Sequence, residues 1–207
     1  MIAGPNGSGK TTLTRHLQAS GFDLGEYINP DDIAAMLDGD PVQTSREAQR
    51  LAEIARQSCM ARGVSFAFET VMSHPSKVEL LKQAKGLGYY VVLFFVAVDD
   101  PRINVDRVAM RVAQGGHDVP VELILSRYDR TMALLPDAMH ASDRSVLFDN
   151  SHRDDDGGSS LQALGEVVHR DALGLLWFEP QYDDHGAQVP LPWWAAKALA
   201  TGNAGRN

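Results

Sequence analysis

The chain has 207 residues, 44% of them hydrophobic, which suffices for one core-bearing domain with at most a small appendage. Its formal charge of −8, from 19 Lys and Arg against 27 Asp and Glu, argues against a nucleic-acid surface but leaves room for clustered arginines around a small anion. Cys59 stands alone, so an intramolecular disulfide and a cysteine-based metal site are excluded; with no leader and no apolar run of membrane-spanning length, the expected setting is cytoplasmic, without a membrane partner.

Short apolar runs alternate with helical patterns, which predicts an α/β fold: a parallel sheet with helices on both faces. In chain order the expected strands are residues 1–3, 27–29, 64–69, 89–98 and 145–149, and the expected helices 10–20, 45–62, 75–87 and 120–138. Asp100 before Pro101 reads as a helix cap followed by a first-turn prolyl ring. The run "RDDDGGSS" (153–160) reads as a loop or linker. After it, residues 161–171 read as a helix, "LGLLWF" as a strand, and "PLPWWAAKAL" as a closing amphipathic helix. The last seven residues are expected to fray. This gives a core over residues 1–152, with a lid at 101–120, and a C-terminal extension over 153–207 packed on it.

The stretch Gly4-Pro5-Asn6-Gly7-Ser8-Gly9-Lys10-Thr11 fits G-x-x-x-x-G-K-[ST]. Glycines there let amide groups turn inward around phosphate oxygens, and the helix that follows adds its positive end. Asn6, Gly7, Ser8, Gly9, Lys10, Thr11 and Thr12 are therefore the expected nucleotide contacts. Lys10 reaches the β- and γ-phosphates of a nucleoside triphosphate, and the Thr11 hydroxyl ligates Mg²⁺. A dinucleotide fingerprint fails, because Thr12 stands where a third small residue belongs. The first strand is short for a loop support, and part of it is expected to lie upstream of Met1.

Other residues point to transfer onto a bound acceptor rather than to a switch or motor. Asp31 and Asp32 in "YINPDD" follow the second strand, at the carboxyl edge where ligands of parallel sheets lie. Asp31 is placed to take the proton of an attacking hydroxyl, whereas Asp32 suits a first helical turn. Glu69 and Thr70 end the third strand in the same way and are read as contacts to the acceptor, Glu69 alternatively to a water of the Mg²⁺ shell. Arg107 and Arg111 share one helix face, and Arg127 and Arg130 share another. This reads as a lid that carries guanidinium groups over the transferring phosphate, with Arg107 also a candidate substrate contact. His117 is given no role. The competing reading is an ATPase or nucleotide switch acting through a protein partner.

These pieces resemble the zeta toxin family of P-loop kinases. The residues that carry the resemblance are "IAGPNGSGKTT", "INPD", "FET", "RVAMRVAQGGHDVP", "RYDR" and "LFDNS", which span Ile2 to Ser151 in that order. The resemblance implies a sheet of order 2-3-1-4-5, ATP and Mg²⁺ as cofactors, and phosphorylation of a hydroxyl on a small molecule, which in the best-known toxins is a UDP-activated amino sugar. It implies Asp31 as base, Glu69 and Thr70 seating the acceptor, and Arg111 and Arg127 on the phosphates. "INPD" and "FET" match the shorter, predicted-kinase branch, which lacks the toxins' longer acceptor-binding segment. Nothing in the sequence identifies an antitoxin partner.

Overall fold

The computed structural model describes residues 1–116, 118–152, 160–169 and 175–204. His117 and nearly all of "RDDDGGSS" lie outside them. The elements are β1 (Ile2–Ala3), α1 (Lys10–Ala19), β2 (Glu26–Ile28), α2 (Pro30–Ala35), α3 (Pro41–Arg62), β3 (Phe66–Thr70), α4 (Ser76–Gly86), β4 (Val92–Ala97), α5 (Pro101–Ala113), α6 (Val121–Ala141), β5 (Arg144–Asp149), β6 (Gln162–His169), β7 (Leu176–Pro180) and α7 (Trp193–Asn203).

Local chemistry sets the helix starts. Asp100 caps α5 by accepting from the Arg102 amide at 2.9 Å, and Pro101 supplies the first turn. The same Asp–Pro pairing begins α3 at residue 41, four residues earlier than periodicity suggests: Asp40 accepts from the amides of Val42 and Gln43, both at 3.1 Å.

The strands form one sheet of order β2-β3-β1-β4-β5-β6-β7. The first five are parallel in the expected order, with Ile2 between Glu69 and Phe94 in register. The remaining two correct the expectation of a wholly parallel sheet and of a helix over 161–171, because β6 runs antiparallel to β5 and β7 antiparallel to β6. The segment resists helix formation for identifiable reasons. Val167 and Val168 favour a pleated chain. Gly165 lies so close to β7 that a Cβ there would sit 2.3 Å from the Glu179 carbonyl oxygen. Across the pair, Arg144 donates to Glu166 at 2.8 Å.

Two apolar layers sandwich the sheet. On one face Leu13 and Leu17 of α1 meet Ile2, Phe94, Val96 and Phe148. On the other, α3, α4, α6 and α7 cover Ala3, Phe68, Phe95 and Leu147, and the Trp194 ring lies 5.8 Å from that of Phe95. Of the seven residues expected to fray, 201–203 instead end α7, where Asn203 accepts from the Leu176 amide at 2.9 Å and donates to its carbonyl at 3.0 Å, and 205–207 lie outside the described residues. No helix among the described residues is long and apolar enough to cross a membrane.

Candidate active site

The turn from β1 into α1 is built by close contacts that only glycine permits. Gly4 has φ 153°, and a Cβ there would lie 2.0 Å from the Val96 carbonyl oxygen of the neighbouring strand. Gly9 is the α1 N-cap at φ 101°, and its Cβ would lie 2.3 Å from Asn150 Nδ2. Two asparagines hold the loop from outside. Asn150, just past β5, donates from Nδ2 to the Ser8 carbonyl at 2.8 Å, and buried Asn104 of α5 donates to the Asn6 carbonyl and packs under Gly7. Neither was expected as a site residue. Asn150 carried a usable signal, since it directly follows a strand at the carboxyl edge. Asn104 carried none, because its partner is 98 residues away.

Lys10 Nζ donates to the carbonyls of Gly4 at 3.0 Å and Pro5 at 2.9 Å, so the ammonium curls over the loop mouth. Removal from water draws its pKa down to about 8; Glu69 and Asp31 oppose the shift, and Arg111 and Arg127 add to it. Ser8 Oγ is buried with no hydrogen-bond partner inside the loop. Thr12 is exposed in the first turn of α1.

Glu69 is the busiest group of the site. Its carboxylate accepts from Thr14 at 2.6 Å and Tyr27 at 2.6 Å through Oε1, and from Thr11 at 3.2 Å through Oε2. Burial, then the bond to Glu69, raises the Tyr27 phenol above its ordinary range. Glu69 therefore sits on the Thr11 side of the loop. Thr14 and Tyr27 were not expected here, although Thr14 lies one helical turn beyond Thr11, on the same face of α1. Thr70 points to the opposite face of the strand; its carbonyl accepts from the Gly4 amide at 3.3 Å and its hydroxyl from the Met72 amide at 3.1 Å. Among the described residues, no three His, Cys, Asp or Glu side chains gather to hold a metal ion. A cation here would depend on Thr11, Glu69 and ligand oxygens.

Asp31 and Asp32 both occupy the exposed first turn of α2, and neither caps it. Asn29 is the cap, accepting from the Asp31 amide at 3.0 Å, which leaves both carboxylates for other work. The arginines divide. Arg127 Nη1 reaches Asn6 Oδ1 at 3.5 Å, and burial lowers its pKa. Arg111 is exposed, and its stem lies against Gly116, where a Cβ would come within 2.7 Å of its Cγ. Arg107 is half-buried on the same helix. Arg130 instead donates to the Ser126 carbonyl of its own helix at 3.2 Å and faces solvent.

The zeta toxin family model matches residues 1–152. An uncharacterized protein of Haemophilus influenzae is 29% identical over 135 residues, which cover 60% of this chain and 88% of that protein. Among solved structures, the AvrRxo1-ORF1:-ORF2 complex with ATP is similar over 98% of this chain and 74% of that one, at 16% identity and a TM-score of 0.62. A chain of the PezAT chromosomal toxin–antitoxin system of Streptococcus pneumoniae is similar over 98% of this chain and 83% of that one, at 14% identity and a TM-score of 0.57. These structural likenesses establish a shared fold.

Proposed function

The chain belongs to the zeta toxin family, and from that premise we propose that this kinase-like phosphotransferase moves the γ-phosphate of ATP to a hydroxyl of a small acceptor. One observation carries the reading: Lys10 curls over the loop mouth, Arg127 reaches Asn6 of the loop at 3.5 Å, Glu69 meets Thr11 at 3.2 Å, and Asp31 stands in the exposed first turn of α2. A transferring phosphoryl group needs such a setting, with cations for its oxygens and a carboxylate for the incoming proton.

In this mechanism the loop amides and the α1 N-terminus hold the nucleotide phosphates, and Lys10 leaves the loop carbonyls for phosphate oxygens. Thr11, with Glu69 beside it, would hold Mg²⁺, whose chemistry is to neutralise charge across the β- and γ-phosphates. Hard oxygen donors of this kind suit that ion. Glu69 thus acts on the metal side, and Thr70, on the other face of β3, on the acceptor side together with Arg107. Asp31 accepts the hydroxyl proton as the oxygen bonds to the γ-phosphorus and the bond from that phosphorus to the bridging oxygen breaks, leaving ADP. Arg111 and Arg127 stabilise the charge that spreads over the equatorial oxygens. ATP in the AvrRxo1 complex supports the choice of nucleotide, and the pairing of PezAT toxin with antitoxin supports a protein partner for this chain too.

The test is Asp31→Asn, with a metabolite extract and labelled ATP used to find the acceptor. Asn keeps shape and hydrogen-bonding reach but cannot take the proton. Transfer should fall about a hundredfold to ten-thousandfold, while ATP-analogue affinity and melting temperature stay near wild type. Transfer at the wild-type rate removes the base, and ATP turnover independent of any acceptor points to an ATPase instead.

A further inference from the structure

Helix α7 lies beyond residues 1–152, the span that the family model matches. Its first two residues nevertheless reach the edge that carries the phosphate loop. Trp193 Nε1 donates to the Asp99 carbonyl at 2.9 Å, and Trp194 Nε1 donates to Asp149 Oδ1 at 3.3 Å. Asp99 follows β4 and Asp149 ends β5, so two consecutive indoles fasten the ends of two adjacent strands. Ser151 ties those ends together: its hydroxyl accepts from the Asp99 amide at 2.9 Å and donates to Asp149 Oδ1 at 2.8 Å, and its amide donates to Asp149 Oδ2 at 3.0 Å. Between Asp149 and Ser151 sits Asn150, whose amide donates to the Ala97 carbonyl at 2.9 Å and whose side chain holds the Ser8 carbonyl.

A buried indole N–H needs an acceptor, and any nearby carbonyl would satisfy it. Trp194 instead donates to a carboxylate that is itself only 4% exposed. A carboxylate so far out of water depends on each of its donors. With Trp194 Nε1 removed, Asp149 Oδ1 keeps the Ser151 hydroxyl, and the carboxylate is drawn towards solvent on the side of His152, whose Nδ1 is 3.5 Å from Oδ2. Asn150 lies between the residues that would move.

We propose that α7 is part of the support of the phosphate loop and that Trp194 is a positioning residue for nucleotide binding, acting through Asp149 and Asn150 on Ser8 and Gly9. The link to nucleotide rests on the function proposed above; the mechanical link to the loop does not.

Trp194→Phe keeps a ring against Phe95 and removes the donor. Hydrogen exchange of amides in residues 7–10 of the ligand-free protein should then quicken about tenfold, the worth of one hydrogen bond to a charged group. Affinity for a Mg²⁺–ATP analogue should weaken by a similar factor. The control is Ala195→Gly, which loosens the same helix without touching Asp149 and should lower the melting temperature while leaving loop exchange within about twofold. Wild-type loop exchange in Trp194→Phe, or equal quickening in both variants, overturns the proposal. Should Trp194→Phe fail to fold, Asp149→Asn carries the same test, since its amide turns a donor towards the Ser151 amide or the indole. If the wild type binds no nucleotide, the proposed function falls, and the exchange measurement still decides the coupling.

Discussion

Lys10→Met keeps the length and stem of the side chain and removes the ammonium. Burial draws that ammonium to about 8, against the attraction of Glu69 and Asp31. The phosphates of a bound nucleotide would favour the charged form and lift the group back towards its ordinary 10.5. The interval corresponds to about 3 kcal/mol, given up on folding and recovered on binding. Without ligand, stability therefore declines as pH falls from 10.5 to about 8, where the unfolded amine is charged and the folded one is not, and levels off below. At pH ~9 an amine of pKa about 8 is only about one-tenth protonated. Binding a nucleotide then takes up about 0.9 proton, whereas the phosphates, already ionised, contribute none. Titration calorimetry with a Mg²⁺–ATP analogue in two buffers of different ionisation heat reads this number directly. Wild type should show the uptake; Lys10→Met should show almost none, with weakened binding and no turnover. Equal uptake by both proteins, or none by wild type, would refute the placement of Lys10 on the phosphates.

Arg127→Ala should cut kcat about a hundredfold with ATP-analogue affinity changed only a few-fold, because its contacts tighten in the transition state. Arg130→Ala, whose guanidinium faces solvent on the same helix, should leave steady-state rates near wild type. Gly9→Ala should cost about 1–3 kcal/mol of stability by denaturant titration and abolish nucleotide binding, since a left-handed Ala pushes its methyl into Asn150; a variant as stable and as tight as wild type would show that the loop yields.

The parts of this fold written in short stretches of sequence are the parts that could be read there. Glycine spacing and one lysine announce the phosphate loop, Asp100–Pro101 announces α5, and the apolar run through Val92–Ala97 announces a buried strand. Asp40–Pro41 announces α3 in the same code but was outweighed by periodicity that begins at Ser45. The antiparallel β6 was hidden because Gly165 is explained by a carbonyl of β7, not by its own neighbours. In the site, Asp31, Glu69 and Arg127 could be nominated from their places at strand ends and on helix faces. Tyr27 and Asn104 could not, because each acts on a partner 42 or 98 residues away. Asn29, which lies one residue before the proline, caps α2 and was not singled out in the sequence.

The clamp on the phosphate loop also sets when the loop can exist during synthesis. Asn150 is translated 142 residues after Ser8. At about 5–20 residues per second, the nascent chain spends on the order of ten seconds displaying a complete phosphate-binding motif without the residue that shapes it. Neither neighbour of β1 is present at first either, since Thr70 and Phe95 pair with Ala3. If the loop holds a nucleotide as proposed, a half-made chain offers it nothing to grip, and the energy of holding it would stabilise only the finished sheet.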